Sequence, residues 1–268
     1  MNEITGKGVT RDGWDALKQY TSARIAIGRS GGSLPTSEWL NFRLAHARAR
    51  DAVHLDFDPL KLADKIHATG SETLVLKTLA ADRMTYLQRP DLGRRLDDES
   101  KNILSKRSGD YDLSIIVSDG LSSMAVERQT LLLLECLLPK LQAKQWKLAP
   151  IIIAPFARVA LEDEVGCLLN ARIALILLGE RPGLGSPDSL GAYLVFGPRS
   201  GNTDARRNCV SNIRPEGLGY PAAADTLDYL LDQARFRGMS GVLLKDNRKV
   251  SDYPACPKNP AAVLPGRD

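Results

Sequence analysis

The sequence predicts an α/β fold in which a parallel sheet follows a mostly helical N-terminal region. Short apolar runs rich in Ile, Leu and Val alternate with segments of helical periodicity after residue 100. The resulting order of strand, helix, strand, helix and strand is typical of parallel strands joined by right-handed crossovers. Strands are expected at 113–117, 148–154, 171–178 and 192–196.

The region before residue 100 is expected to be mostly helical. Its first twenty residues predict at most a short helix. A longer helix is predicted from Pro35 onward, because proline suits the first helical turn and the Glu38 carboxylate is favourable there. A further helix is predicted at 59–67 and an extended segment at 73–79.

The segments between and after the strands are assigned by the same criteria. The helix that starts at Leu121 is expected to end at Leu138, because Pro139 cannot donate a backbone hydrogen bond. The other expected segments are a helix at 162–169, a long loop at 202–219, a helix at 221–236, an edge strand at 242–244 and a loose tail at 251–268. The chain is thus expected to comprise a helical region (1–100), a sheet domain (101–250) and the tail.

Composition narrows the class of protein. The 268 residues are 43% apolar and 25% charged, as in ordinary globular domains. The net charge of +4 comes without a long Lys or Arg run, which argues against a nucleic-acid partner. No apolar run has the length of a membrane span, and no signal peptide is evident. The four cysteines form no C-x-x-C pair, so a reducing, intracellular environment with free thiols is expected.

Several familiar kinds of catalytic site lack their sequence signature. No G-x-G-x-x-G follows the first strand, and the P-loop motif is missing, which argues against a common nucleotide-binding loop. The three histidines all fall in the first quarter of the chain, without metal-ligand spacing and far from any serine of the sheet domain. The residues alone therefore supply no complete catalytic apparatus and no metal site, and they point to a binding fold with an unidentified ligand.

The loops that follow the strands are the best candidates for a binding site. In a doubly wound sheet, such loops gather at one edge, where ligands bind. Glu180 closely follows the strand at 171–178 and is placed where a binding residue is expected, although spacing alone favours the simpler interpretation that Glu180 and Arg181 only solvate a turn. The four loops expected to meet are 118–120, 156–159, 179–181 and 197–199.

Two arginine-rich segments leave alternatives open. The arginines of 43–50 lie mostly off the apolar face of their helix, and either solvate it or offer a surface to an acidic partner. Arg89, Arg94 and Arg95 are broken by Pro and Gly, and could either hold a phosphate or carboxylate or form weak surface ion pairs.

Five segments together carry a resemblance to a known family. They are HARARDAV (46–53), YLQRPDLGRRL (86–96), SDGLS (118–122), GERPGLG (179–185) and RNCVSNI (207–213). With them, residues 21–245 resemble the small (light) subunit of ethanolamine ammonia-lyase. The resemblance implies a Rossmann-like domain, and a heterooligomer with a large subunit whose barrel holds most of the ethanolamine site. It also implies adenosylcobalamin at the subunit interface and a radical reaction that yields acetaldehyde and ammonia.

The family's cofactor-binding positions map by motif onto Val159, Glu180 and Cys209. Val159 would offer apolar and backbone contact to the corrin, and Glu180 would accept hydrogen bonds from amide side arms or ribose. Cys209 is expected to be a close neighbour of the cofactor rather than a cobalt ligand. The D-x-H-x-x-G motif of base-off cobalamin proteins is missing, so the cofactor is expected base-on.

The resemblance leaves two matters open. A non-catalytic scaffold that stabilises the large subunit without contacting the cofactor is the alternative function. The location implied is the bacterial cytoplasm, either free or within an ethanolamine-utilisation microcompartment. Only about twenty residues precede the shared region, which puts packaging through this subunit in doubt.

Overall fold

The structure is a computed structural model that describes residues 4–5, 8–21 and 23–248. The tail predicted at 251–268 lies outside the described residues. Before the sheet domain the elements are β1 (Ile4–Thr5), β2 (Val9–Thr10), α1 (Thr36–His54), α2 (Pro59–His67), β3 (Thr73–Val75), α3 (Arg83–Gln88) and α4 (Asp98–Ser105). The later elements are β4 (Tyr111–Ser118), α5 (Ser123–Ala143), β5 (Ile151–Ile153), α6 (Leu161–Leu168), β6 (Ala171–Gly179), β7 (Leu190–Phe196), β8 (Arg207–Ile213) and α7 (Tyr220–Arg237).

One mostly parallel sheet organises the described part of the chain. Its strand order is β3-β5-β4-β6-β7-β8. The first four strands in this order are parallel to one another, whereas β7 and β8 each run antiparallel to the neighbour before. The α/β class with a mostly parallel sheet is therefore confirmed. β3 lies before residue 100 and pairs with β5, so the region predicted to be mostly helical contributes one strand to the sheet. The division of the chain into domains at residue 100 stays a prediction.

The antiparallel direction of β7 corrects one expectation about the site. Phe196 at the end of β7 pairs with Ile173 near the start of β6, and the Gly197 amide donates a hydrogen bond to the Arg172 carbonyl at 2.9 Å. The loop 197–199 therefore lies at the opposite edge of the sheet from 118–120 and 179–181. The end of β8, by contrast, returns to the edge where β6 ends.

The expectation of a long loop at 202–219 is wrong, because β8 occupies its centre. The polar sequence of β8 hides the strand, whose Val210 and Ile213 face the core. The Asn208 side chain donates to the carbonyl oxygens of Gly241 and Leu244. Those bonds stabilise a short 3-10 helix at Gly241–Leu243, where an edge strand at 242–244 was expected.

The expectation that a helix ends before Pro139 is also wrong. α5 continues to Ala143 with Pro139 inside it. A proline in a helix costs about 3 kcal/mol, mainly through a lost hydrogen bond. Leu137, Leu138 and Leu141 surround the proline and are all buried, and burying each contributes about 1.5–3 kcal/mol. Packing thus outweighs the local cost.

The helices cover the two faces of the sheet unequally. On one face, α2, α5 and α7 enclose the larger core, which reaches from β5 to β8. On the other face, α4 and α6 enclose a smaller core over β4 and β6. Tyr193 of β7 and Cys209 and Ser211 of β8 lie on this second face and are only partly covered or exposed. We call these three residues the open sheet face.

Candidate functional site

Two glycines bring the end of β6 against the start of α5. Gly120 has a φ of +53°, which glycine tolerates best. A Cβ at Gly179 would lie 2.1 Å from the carbonyl oxygen of Ser122, so only glycine fits there. The Leu121 amide then donates to the Gly179 carbonyl at 2.9 Å. The loops after β4 and β6 therefore meet at one edge, as the strand order predicts.

Asp119 holds a third loop at that edge. The carboxylate is buried and accepts hydrogen bonds from the Phe156 amide at 2.7 Å and from the Ser118 hydroxyl at 3.2 Å. Its other oxygen forms an ion pair with Arg83. Burial raises the pKa of Asp119, while Arg83 opposes that rise. Asp119 therefore positions the loop 154–159, and nothing in the sequence pattern singled out Arg83 as its partner.

Arg158 lies on that loop with a fixed orientation. Its guanidinium stands 4.0 Å above the Tyr86 ring, and its Nη2 donates to the Tyr86 carbonyl at 2.8 Å. Its backbone amide donates to the Gly93 carbonyl at 2.7 Å. The Nε atom is buried without a hydrogen-bond partner among the described residues. Arg158 therefore retains donor capacity, although its ring contact holds it in place.

The Glu180 carboxylate is fixed by side chains from two other strands. Its Oε1 accepts from the Ser211 hydroxyl at 2.5 Å. Its Oε2 accepts from the Ser189 hydroxyl and from the Asn212 amide at 3.2 Å. Each carboxylate oxygen has two lone pairs, so Oε1 retains one for an external donor. The alternative that Glu180 merely solvates a turn does not account for these bonds.

Cys209 stands directly beside Tyr193 on the open sheet face. The two residues are register partners of β8 and β7. Desolvation raises the pKa of the Cys209 thiol, and it also raises the pKa of the Tyr193 hydroxyl. Both groups are therefore neutral at physiological pH. A neutral thiol is a weak nucleophile and a weak metal ligand.

A buried ion cluster connects β8 to the start of α6. Arg207 donates to Glu162 Oε1 at 2.7 Å and to Asp163 Oδ2 at 2.5 Å. Burial raises the pKa of Glu162 well above its ordinary value, against the opposing charge of Arg207. Glu162 and Asp163 closely follow Val159, and Arg207 lies two residues before Cys209. The cluster therefore fixes the distance between Val159 and Cys209.

Two adjoining cavities bring the predicted binding residues together. Val159, Arg158 and Tyr193 line both of them. The smaller cavity, of about 430 Å³, also contains Glu180. The larger one, of about 630 Å³, also contains Cys209. Val159, Glu180 and Cys209 therefore lie around one continuous region, although they come from three separate segments of the chain.

The structure also shows what sequence reasoning missed. Tyr193 lines both cavities and Ser189 donates to Glu180, but no sequence pattern singled out either residue. Of the arginines near residue 90, Arg89 pairs with Asp91 on the surface, whereas Arg94 lines the larger cavity. Within the described residues, no group of His, Cys, Asp and Glu is arranged to hold a metal ion.

Comparison with known proteins connects this geometry to a family. Residues 11–245 match the family model described as ethanolamine ammonia-lyase light chain. A protein of Azotobacter vinelandii named ethanolamine ammonia-lyase small subunit is 52% identical over 96% of this chain and 97% of its own length. Proteins of the same name from Ralstonia nicotianae and Pseudomonas aeruginosa are also 52% identical, over 90% and 88% of this chain and 91% and 88% of their own lengths. The chain therefore belongs to the ethanolamine ammonia-lyase light chain family.

Proposed function

We propose that this chain acts as the small subunit of an adenosylcobalamin-dependent ethanolamine ammonia-lyase, joined to a large subunit that carries most of the ethanolamine site. Val159, Glu180 and Cys209 then form this chain's part of a cobalamin site at the subunit interface. The observation that carries the proposal is that these three residues surround one pair of adjoining cavities. The family membership supports the overall activity.

The residues around the cavities fit a corrinoid. A corrin is a large ring with a broad apolar face and a fringe of amide side arms, so its site needs apolar surface and scattered hydrogen-bonding groups. Val159 and the Tyr193 ring supply apolar surface. Glu180 Oε1 has a free lone pair for an amide N–H, and Arg158 Nε has a free hydrogen for an oxygen acceptor of the cofactor. The donors and acceptors thus match those of the cofactor's fringe.

The contribution of this chain is to hold and orient the cofactor. When bound, adenosylcobalamin supplies the radical that starts the conversion of ethanolamine to acetaldehyde and ammonia. Glu180 stays in place because Ser189, Ser211 and the Asn212 amide all donate to it. Since no histidine is among the described residues that line either cavity, we propose that the cofactor binds base-on.

The N-terminal region is proposed to contact the large subunit. Within α1, Ala45 and Ala52 are buried, whereas Trp39 and Phe42, which lie three residues apart on one side of the helix, are exposed. Large apolar side chains grouped on a surface favour a protein interface. None of the described helices combines the length and apolar character needed to cross a lipid bilayer. Packaging of the assembly in a microcompartment stays a prediction.

The proposal is tested by cobalamin binding to the purified complex of both subunits. We expect Glu180→Ala to weaken cyanocobalamin binding about tenfold, because it removes a charge-assisted acceptor and releases the two serines. Glu127→Ala, on the exposed side of α5, removes the same charge away from the cavities and should leave binding unchanged. Unchanged affinity in Glu180→Ala would contradict the assignment.

A second measurement separates this proposal from a scaffold role. Difference spectra of cobalamin would be recorded with the large subunit alone and with both subunits. A spectral change that requires this chain supports direct contact with the cofactor. If the large subunit alone gave the same spectrum and the same affinity as the complex, the scaffold alternative would be correct.

A further inference from the structure

The larger cavity is lined by two arginines from neighbouring loops. Arg94 follows Gly93, and Arg158 lies on the loop 154–159 that Asp119 holds. The two loops are in backbone contact, since the Arg158 amide donates to the Gly93 carbonyl at 2.7 Å. A Cβ at Gly93 would lie 2.6 Å from the Phe156 carbonyl oxygen, so the glycine allows this close approach. The fold therefore places both side chains at the same cavity.

Neither of these arginines is neutralised within the described residues. Arg94 and Arg158 form no ion pair there, whereas Arg89, five residues before Arg94, pairs with Asp91. Arg207 also lines the cavity, but Glu162 and Asp163 already neutralise it. Of the described residues that line the cavity, only Asp204 is acidic. Its side chain is 98% exposed, and its Oδ1 lies 3.4 Å from Arg207 Nε. Arg94 and Arg158 are therefore guanidinium charges at this cavity without an acidic partner among the described residues.

Arg158 has a donor that lacks an acceptor. Its Nε atom is buried and unpartnered, while the stacking on Tyr86 and the bond from Nη2 hold the guanidinium still. Buried N–H groups are nearly always hydrogen-bonded, so an unpartnered one marks a place for an external acceptor. A guanidinium presents its donors in a plane that matches the oxygens of a phosphate.

We propose that Arg94 and Arg158 bind the phosphodiester of the cobalamin nucleotide loop. This inference rests on the proposed function, because it assigns a position in the same site to one group of the same cofactor. The phosphodiester is the anionic group of cobalamin, whereas the corrin side arms are neutral amides. The larger cavity is lined by Val159 and by two guanidinium groups without an acidic partner among the described residues. It is therefore suited to the anionic phosphodiester rather than to a neutral amide.

The test compares two corrinoids that differ in the nucleotide loop. Cyanocobalamin carries the phosphodiester, and dicyanocobinamide lacks the whole phosphate-linked loop. Both would be titrated into the purified complex of the two subunits, with affinity measured by absorbance. We expect Arg94→Gln to weaken cyanocobalamin binding about tenfold, equal to about 1.4 kcal/mol, with no change for dicyanocobinamide. Arg158→Gln should show the same selectivity, and the surface control Arg89→Gln should bind both corrinoids like the wild type.

The corrinoid titrations distinguish the phosphodiester assignment from its alternatives. An equal loss for both corrinoids, or no loss in Arg94→Gln, would overturn the phosphodiester assignment while leaving the proposed function intact. Dissociation of the subunits in Arg94→Gln but not in Arg89→Gln would show that a partner carboxylate, and not the cofactor, occupies the cavity. A wild-type complex that bound neither corrinoid would overturn the proposed function, and this inference with it.

Discussion

Arg207 shows how a single residue can decide the geometry of a site. Its side chain is 3% exposed, and its two charge-assisted bonds reach from β8 to the start of α6. Val159 and Cys209 lie at the two ends of this connection. Sequence reasoning included Arg207 in a motif, but could not show that it is buried, because an arginine is usually exposed.

The buried cluster predicts a large effect on stability. Arg207→Met removes the cation and leaves two carboxylates in an apolar environment. We expect a loss of about 3–5 kcal/mol in the free energy of unfolding, measured by urea denaturation. Arg206→Met makes the same change at the adjacent exposed position and should alter stability by less than about 0.5 kcal/mol. Equal effects of the two variants would show that the cluster does not hold α6 and β8 together.

At the scale of elements, the site depends on how closely β6 approaches α5. The Gly179 backbone lies against the carbonyl oxygens of Asp119 and Ser122. This contact brings the loops after β4 and β6 together, and Glu180 follows immediately. The strand-end position of Glu180 was predictable from the apolar run before it. The need for glycine at 179 was not, because its neighbours are about sixty residues away in the sequence.

A substitution at this contact should disturb both stability and binding. Gly179→Ala would place a Cβ 2.1 Å from a backbone oxygen, which side-chain movement cannot relieve. We expect a loss of about 3 kcal/mol in thermal or urea unfolding, and weaker cobalamin binding by the complex. Gly185→Ala in the following loop meets no atom within 4 Å and should leave both quantities unchanged. A neutral Gly179→Ala would refute the close approach.

At the scale of the whole molecule, the exposed surface of α1 stands out. Trp39 is 46% exposed, although the Arg43 guanidinium lies 4.7 Å from its ring centroid. Trp39, Phe42 and Ala45 recur at helical spacing, which predicts one apolar face, and the structure buries only the alanine of these three.

The exposed tryptophan predicts an effect on assembly. If α1 contacts the large subunit, Trp39→Ala should weaken subunit association by about 2 kcal/mol, or roughly thirtyfold, because buried aromatic residues dominate interfaces. Sedimentation of the mixed subunits would measure the change, while urea unfolding of the isolated chain should stay nearly constant. Leu132→Ala removes an exposed apolar side chain from α5 and serves as the control. Association equal to that of the wild type would place the interface elsewhere.

The sequence by itself determined the α/β class, the strongly apolar strands β4 and β6, and the position of Glu180 directly after β6. These features depend on local patterns, because an uninterrupted apolar run must be buried wherever the chain goes. Only the tertiary structure decided that β7 runs antiparallel, that the polar segment 207–213 forms β8, and that α5 passes through Pro139. Each of these depends on partners distant in the sequence. The direction of β7 and the formation of β8 depend on strand pairing, and the continuation of α5 depends on the packing of buried leucines. Local propensity carries no information about such distant partners. The same long-range contacts bring Val159, Glu180 and Cys209 around the two adjoining cavities.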